Sequence, residues 1–348
     1  MKLLRFILLI ISLLFALLLI ASTFAGLVRP SKFVGFSLLS YAYAPLLIAN
    51  VVLAIIWLIM ARWQCLLPIA AIVLRFSFLP LFFQIGGHDA PSTDDGIQLK
   101  VMTFNLHHFS GRDGSLPGDD GSQMFLDLVS KEQPEVLCLQ EFFEPKGTNV
   151  AEHLRTMGYR FNRGYHNSHI GLVLFSKHPF VASKDIGSTG KFYADIKKNG
   201  HTVRLVCVHL TSYHLSNSDI ASPDDNRKKV VNKSLGIVHK INNAVKLHEK
   251  EWHQFLQPVV EESKYPIIFM GDCNDIPSSY FYHQVTRHLK DSFCEQGSGI
   301  GTTYHGLFPA FRIDYIFHSP TLEALSYKRM KSDISDHYPL VAVFKIAD

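Results

Sequence analysis

The apolar positions follow two regimes along the chain. From Phe6 to Val28, and again from Phe33 to Ala61, no charged residue interrupts the run, and each run exceeds the roughly 20 residues a helix needs to cross a hydrocarbon core. Both predict transmembrane helices. A third run, Trp63–Ile85, is apolar apart from Arg75 and carries Pro68 and Pro80, a pattern that fits a kinked third span or a re-entrant segment. Residues 1–85 are therefore expected to form a membrane region of two or three helices, at about 6–28, 35–61 and 64–85. The first run exceeds the ~7–15-residue apolar stretch of a secretory signal. A second span follows it directly, so it is expected to be retained.

After a linker over 86–97, rich in Gly, Pro, Ser and Asp (GGHDAPSTDDG over Gly86–Gly96), the pattern changes. Short apolar and β-branched runs recur at Gln98–Leu106, Val136–Gln140, Ile170–Phe175, Thr202–Val208, Ile267–Met270, Ile313–Phe317 and Leu340–Ile346. Helical patterns at Ser122–Lys131 and Val230–Ser263 lie between them. Strands alternating with helices predict one layered α/β domain over 98–348. Gly111–Gly121 and Ser216–Asn226 read as loops.

Composition sharpens this division. The chain is 47% hydrophobic, and the excess belongs to the membrane region. That region holds Lys2, Arg5, Arg29, Lys32, Arg62 and Arg75 and no acidic residue, which leaves 28 basic against 30 acidic residues in 86–348, a charge of −2. The soluble part thus lacks the global basic field that drives non-specific nucleic-acid binding. Lys2 and Arg5 favour a cytoplasmic amino terminus, and the acidic linker has no Lys or Arg. Three spans then place the carboxy-terminal domain outside the cytoplasm, although Arg29 and Lys32 argue against this orientation. Cys65, Cys138, Cys207, Cys273 and Cys294 show no paired spacing, so buried free thiols are expected rather than a disulfide framework.

Polar residues collect at the carboxy-terminal ends of the strand-like runs, where layered α/β enzymes build their sites. They are Asn105 in VMTFNLHHF, Glu141 closing VLCLQE, His209 in LVCVHLTSY, Asp272 and Asn274 in IIFMGDCNDIPSS, Asp314 in RIDYIF, and Asp336 and His337 in SDISDHYPL. Each has a plainer reading as a turn residue, a strand-end charge or a core histidine. In this order, over Gln98–Ile346, the segments resemble the motifs of the endonuclease/exonuclease/phosphatase superfamily.

That resemblance implies a four-layer α/β/β/α sandwich of two mixed sheets. It also implies metal-assisted hydrolysis of a phosphate ester by water. Such a reaction needs a cation and donors for the developing negative charge, and an activated water. Glu141, Asn105 and Asp336 are the expected ligands of Mg²⁺ or Mn²⁺, since a hard cation takes oxygen ligands and no His/Cys cluster has zinc spacing. His337 is expected as base or phosphate-stabilising imidazolium, oriented by Asp314. Asp272 is expected to position or deprotonate the water, with Asn274 and His209 as donors to phosphate. Whether Asp272 or His337 is the base stays open. Cys273 departs from the larger apolar residue usual between the Asp and the Asn.

Weaker candidates are His107, His108, Tyr213 and His214 near the motifs, the basic run Arg227–Lys229, and Lys191, whose plainer reading is a solvated lysine. A membrane-tethered, slightly acidic domain favours a phospholipid or sphingolipid diester as substrate and the lipid bilayer as partner. An extracytoplasmic nuclease acting on DNA or RNA is the alternative.

Overall fold

The computed structural model describes residues 2–86, 96–165, 171–187, 190–219, 222, 225–306 and 311–346. The first apolar run forms α1 (Lys2–Ala25), 24 residues and so about 36 Å long. It ends at Gly26, where a Cβ would lie 2.2 Å from the Ser278 carbonyl oxygen, so glycine permits the close approach. The expected second helix is divided. Pro30 opens the short α2 (Pro30–Ser37), a 3-10 turn spans Leu38–Ala42, and α3 (Tyr43–Ile59) continues. Within α2, Phe33 leaves helical geometry at φ −149°.

The third run departs further from the single helix expected at 64–85. It gives α4 (Leu66–Leu74), which stops at Arg75, then a 3-10 stretch Phe76–Leu81. Pro80 sits inside that stretch, without the N–H an α-helix needs. The chain then joins β1 (Phe83–Gln84). The stretches Lys2–Ala25 and Pro30–Ile59 are long and apolar enough to cross a membrane; Trp63–Leu74 is shorter. Polar side chains tie these helices together. Trp57 Nε1 donates to Ser12 Oγ at 2.9 Å and Asn50 Nδ2 to the Phe15 carbonyl at 3.0 Å, contacts suited to a medium without water.

The α/β body contains β2 (Ile97–Asn105), α5 (Gly118–Glu132), β3 (Val136–Gln140), α6 (Val150–Thr156), β4 (Phe161–Tyr165), β5 (Leu172–Ser176), β6 (Phe180–Asp185), β7 (Lys191–Lys198) and β8 (His201–His209). It continues with α7 (Arg227–Glu251), β9 (Ile267–Asp272), β10 (Lys290–Asp291), β11 (Gly299–Ile300), β12 (Asp314–His318), β13 (Leu322–Arg329) and β14 (Leu340–Ile346). One six-stranded mixed sheet has the order β13-β14-β2-β3-β5-β4 and the other β10-β12-β9-β8-β7-β6.

Strand side chains alternate between faces, and here both faces are apolar. Leu99, Val101 and Cys138 of the first sheet meet Leu205, Cys207 and Met270 of the second in the central core. Their neighbours Met102, Phe104, Leu137 and Leu139 pack outward under Phe125, Val129 and Leu154 of α5 and α6. Val206, Val208 and Phe269 pack outward under Trp252, Leu256 and Phe281. This is the four-layer sandwich with two mixed sheets that the motifs implied. The five cysteines are all free, as their spacing implied.

The helical pattern expected over Val230–Ser263 resolves into α7, a wide turn Trp252–Leu256 and a short helix Gln257–Glu261. Pro258, lacking an N–H, interrupts the regular ladder there. Most of the expected 86–97 linker, and parts of the other loops, lie outside the described residues.

The apolar region and the body touch along 26–42 and from Phe78 to β1. Ser31 donates its N–H and its hydroxyl to Glu249, both at 2.8 Å, and Ser278 Oγ donates to the Ser40 carbonyl at 2.9 Å. Tyr41 donates to Asp275, and β1 pairs with β11.

Where the two sheets approach at one edge, Glu135 receives His178 Nε2 at 2.6 Å and Lys198 Nζ. Burial pushes its carboxyl up, but these donors outweigh the burial and hold it at about 2. A depressed carboxylate contributes stability above its unfolded value that is lost as pH falls through the folded one. Glu135→Gln is therefore expected to cost about 1 kcal/mol at neutral pH, the site being part-exposed. In denaturant titrations the difference from the wild type should close as pH falls from about 4.5 towards 2.

Candidate active site

Strand register assembles the polar residues found in the motifs. In the second sheet β8 and β12 flank β9, so that His209, Asp272 and Asp314 stand in one row. In the first sheet Asn105 is level with Gln140, and Glu141 follows. Gly271 makes the second row possible. Its φ is +141°, and a Cβ would lie 1.9 Å from the Val208 carbonyl oxygen, so the strand preceding Asp272 requires glycine.

The two rows close on a cavity of about 300 Å³, lined among others by Asn105, Glu141, His209, Asp272, Asp336 and His337. The backbone around it is strained. His107, His108, Phe109, Glu141 and Asn274 all have φ between +43° and +61°, a region costly for residues with a Cβ and one that gathers at functional sites.

Two groups of contacts order the cavity. On one side the Asn105 amide donates to Glu141 Oε1 at 3.2 Å and to Asp272 Oδ2 at 3.0 Å, while its Oδ1 accepts the His107 N–H at 3.1 Å. Asn105 thus bridges two carboxylates as a donor, and its carbonyl oxygen is engaged with the backbone. Asp272 also accepts the Asn274 N–H at 2.8 Å, and Asn274 donates its amide to the Leu210 carbonyl. On the other side His337 Nδ1 donates to Asp314 Oδ2 at 2.9 Å, leaving Nε2 3.8 Å from Asp272 Oδ2. His209 Nε2 lies 3.7 Å from Asp272 and 3.9 Å from Glu141. Asp336 Oδ1 is 3.5 Å from His107 Nδ1 and 4.0 Å from His337 Nε2.

The charges follow from this packing. Burial pushes the His337 imidazole down, but Asp314, Asp272 and Asp336 outweigh it and raise it to about 10. Burial drives Asp314 up, to about 6 against the pull of His337. The contact favours an imidazolium beside a carboxylate. Burial likewise pushes Glu141 up, and His209, His337 and Asn105 together overcome it, keeping the carboxyl below its usual range.

All eight expected site residues thus converge on one cavity or the hydrogen bonds behind it. His107, His108 and Tyr213 join them, whereas His214 is not among the lining residues. Lys191 is neither solvated nor at the cavity. It is buried with Nζ 2.7 Å from Glu251, because strand β7 turns that side chain inward. Cys273 fills a fully buried position in the outer core. Arg227–Lys229 open α7, away from the cavity lining.

Sequence reasoning missed the layer behind the site. Asp275 is buried and receives Tyr41, Tyr213 at 3.3 Å and His248 at 3.0 Å; His248 Nε2 in turn donates to the Thr211 carbonyl at 2.8 Å. The network fixes the Asp272–Ile276 turn to the 210–213 segment. Asp275 follows the motif directly and was legible as a neighbour. Tyr41 lies 234 residues away in sequence, with no signal to join it to the site.

The donor set suits a hard divalent cation. Glu141, Asp272 and Asp336 offer carboxylate oxygens around the cavity, and Asp272, Asp314 and His337 place ligand atoms within 4.8 Å of one another. No Lys or Arg is among the described lining residues to neutralise them.

Residues 102–337 match the Endonuclease/Exonuclease/phosphatase family. The chain belongs to this family. Residues 5–82 match a domain of unknown function (DUF8431), so family membership divides where the hydropathy does. A curated relative, a probable endonuclease 4 of Mycoplasma capricolum, is 29% identical over 115 residues, 32% of this chain and 39% of that protein. The matched stretch therefore spans about two fifths of that relative. Among solved structures, the human Nocturnin catalytic domain with bound sulfate covers 74% of this chain and 97% of its own at 19% identity and TM-score 0.53. A family protein of Bacteroides thetaiotaomicron covers 73% and 100% at 17% identity and TM-score 0.50. These likenesses share the fold of the α/β body. Members of this family generally use a divalent metal, in keeping with the acidic cavity.

Asp314→Asn removes the charge that holds the proton on His337. It is expected to lower kcat by roughly 10²–10⁴ and to bring the His337 titration down from its raised position, as read by NMR of the imidazole. Tyr41→Phe takes one donor from a buried carboxylate. A loss of about 1–3 kcal/mol in unfolding free energy, with a lower kcat/KM through the loosened Tyr213, is the expected result.

Proposed function

We propose that this chain hydrolyses a phosphodiester in a lipid headgroup at a membrane surface, using water activated in the described cavity and Mg²⁺ or Mn²⁺ held by Glu141 with Asp336. Such a cation, when bound, would offset the negative charge of the phosphate and of the leaving oxygen. The protein's own groups divide the remaining work. His337, protonated through Asp314, donates from Nε2 to phosphate or to the departing oxygen, which leaves Asp272 as the acceptor for the water's proton. His209 adds a second donor beside Glu141 and Asp272. Asn274 fixes the turn that carries Asp272, and Asn105 holds the two carboxylates in register. Asn105 would act as a metal ligand only with its amide turned over.

One observation carries the choice of ester. Nucleic-acid binding draws on several Lys and Arg contacts to successive phosphates, and the described lining of this cavity offers none. A single headgroup phosphate needs no such track. A nuclease is the second reading, favoured by the relative described as a probable endonuclease 4.

The contacts of the N-terminal region support a membrane topology. Segment 26–42 and strand β1 both rest on the α/β body, so both lie on its side of the bilayer. The far end of α3, near 60–62, then lies on the opposite side. A return crossing would fall to α4, about 14 Å long, since Phe78, Pro80 and Leu81 of the following 3-10 stretch already pack on the body. Three crossings would separate the amino terminus from the catalytic body, and Lys2 and Arg5 favour a cytoplasmic terminus. Arg29, which opposed this orientation in the sequence, lies beside Tyr280 of the body.

The test is product release by the full-length protein with Mg²⁺ or EDTA over sphingomyelin, glycerophospholipids, inositol phosphates and single- and double-stranded DNA, with Glu141→Gln as control. Lipid cleavage that needs both Mg²⁺ and Glu141 is expected. Cleavage of nucleic acid alone would replace the first reading with the second.

A further inference from the structure

Helix α7 is 25 residues long, about 37 Å, yet its only buried residues are Ala244, Val245, His248 and Glu249. The first two thirds are covered on one side only, where Val230, Ile237 and Ile241 are half-buried. On the other side Val231, Leu235 and Val238 are 49%, 61% and 48% exposed. The spacing continues through Asn242, Val245 and Glu249, in alternating steps of four and three, so all six positions share one face of the helix.

The carboxy-terminal end of that face already has a partner. Glu249 accepts both hydrogen bonds from Ser31, and Val245 faces Pro30, Ser37 and Tyr41 across a small cavity. The partner is α2 and the turn after it, which join the two long apolar helices. Phe33 on α2 is itself 62% exposed and stacks on Phe36. The stripe therefore continues, past the edge of α2, the face by which α7 sits on the segment entering the membrane.

The charges on α7 fit an anionic surface. Residues 227–248 carry Arg227, Lys228, Lys229, Lys233, Lys240 and Lys246 and no Asp or Glu. Lys229 and Lys233 pair with Asp225 and Lys240 with Asp219, on the side away from the stripe. Arg227, Lys228 and Lys246 flank it. A helix with an apolar stripe bordered by cations is the form that lies in the interfacial plane of a bilayer.

We propose that the Val231–Leu235–Val238 face of α7 rests on the bilayer that the N-terminal helices enter, with Arg227 and Lys228 over anionic headgroups. The body is thereby held at a second point, on the side where Lys240 ties α7 to Asp219 and the His214 carbonyl, just beyond the cavity-lining Ser212, Tyr213 and Leu215. This rests on the membrane reading above.

The experiment uses the full chain in phosphatidylcholine/phosphatidylglycerol nanodiscs, with nitroxide labels on Val231→Cys or Leu235→Cys and the labelled parent as blank. Lys229→Cys, on the opposite face of α7, and Leu14→Cys, within α1, are references. Accessibility to oxygen and to an aqueous nickel chelate reports immersion. Labels at 231 and 235 are expected to have an oxygen-to-nickel ratio several-fold above that at 229 and closer to that at 14. If 231 and 235 match 229 while 14 is immersed, the membrane reading stands and the proposal falls. Water exposure at 14 would remove the membrane reading itself. Shielding of 231 and 235 from both reagents would mean that protein, not lipid, covers the stripe, and would also overturn the proposal.

Discussion

The structure turns on buried negative charge. Glu141, Asp272, Asp314 and Asp336 meet around a cavity whose described lining holds histidines but no Lys or Arg. Isolated buried carboxylates are costly, so each needs a partner. Asp314 has the His337 imidazolium, and Asp272 and Glu141 share the Asn105 amide. The charge left over is of the kind that a hard cation would neutralise.

The rest of the body holds these groups in place. Two sheets buried on both faces supply stiff strand ends, and the register of β8, β9 and β12 sets the row His209–Asp272–Asp314 without help from loops. The left-handed backbone at Glu141 and Asn274 turns the chain sharply where a regular strand would carry the side chain past the cavity. Behind this turn, Asp275 gathers Tyr41, Tyr213 and His248. The N-terminal region thus contributes a side chain to the layer behind the cavity.

Much of this was legible in the sequence because it follows local rules. Val136–Gln140 and Leu340–Ile346 are strands to the residue, since apolar runs buried on both faces leave no ambiguity of register. The motif residues sit at strand ends, and strand ends converge in layered folds. β6 and β13 were missed for the opposite reason. β6 is exposed over most of its length, and β13 carries Glu323, Lys328 and Arg329, which mask the alternation. The third apolar run read as a helix by composition, while Arg75 and Pro80 break it in the structure. Tyr41 was out of reach because a contact between distant segments leaves no local pattern.

Whether the cavity's carboxylates form a cation site is read by Mn²⁺ titration of the full-length protein followed by electron paramagnetic resonance. Saturable binding, competition by Mg²⁺, marked weakening in Glu141→Gln, and a fall in the His337 titration as the ion shields the carboxylates are expected. Absence of saturable binding, or binding unaffected by Glu141→Gln, would contradict a cation site there.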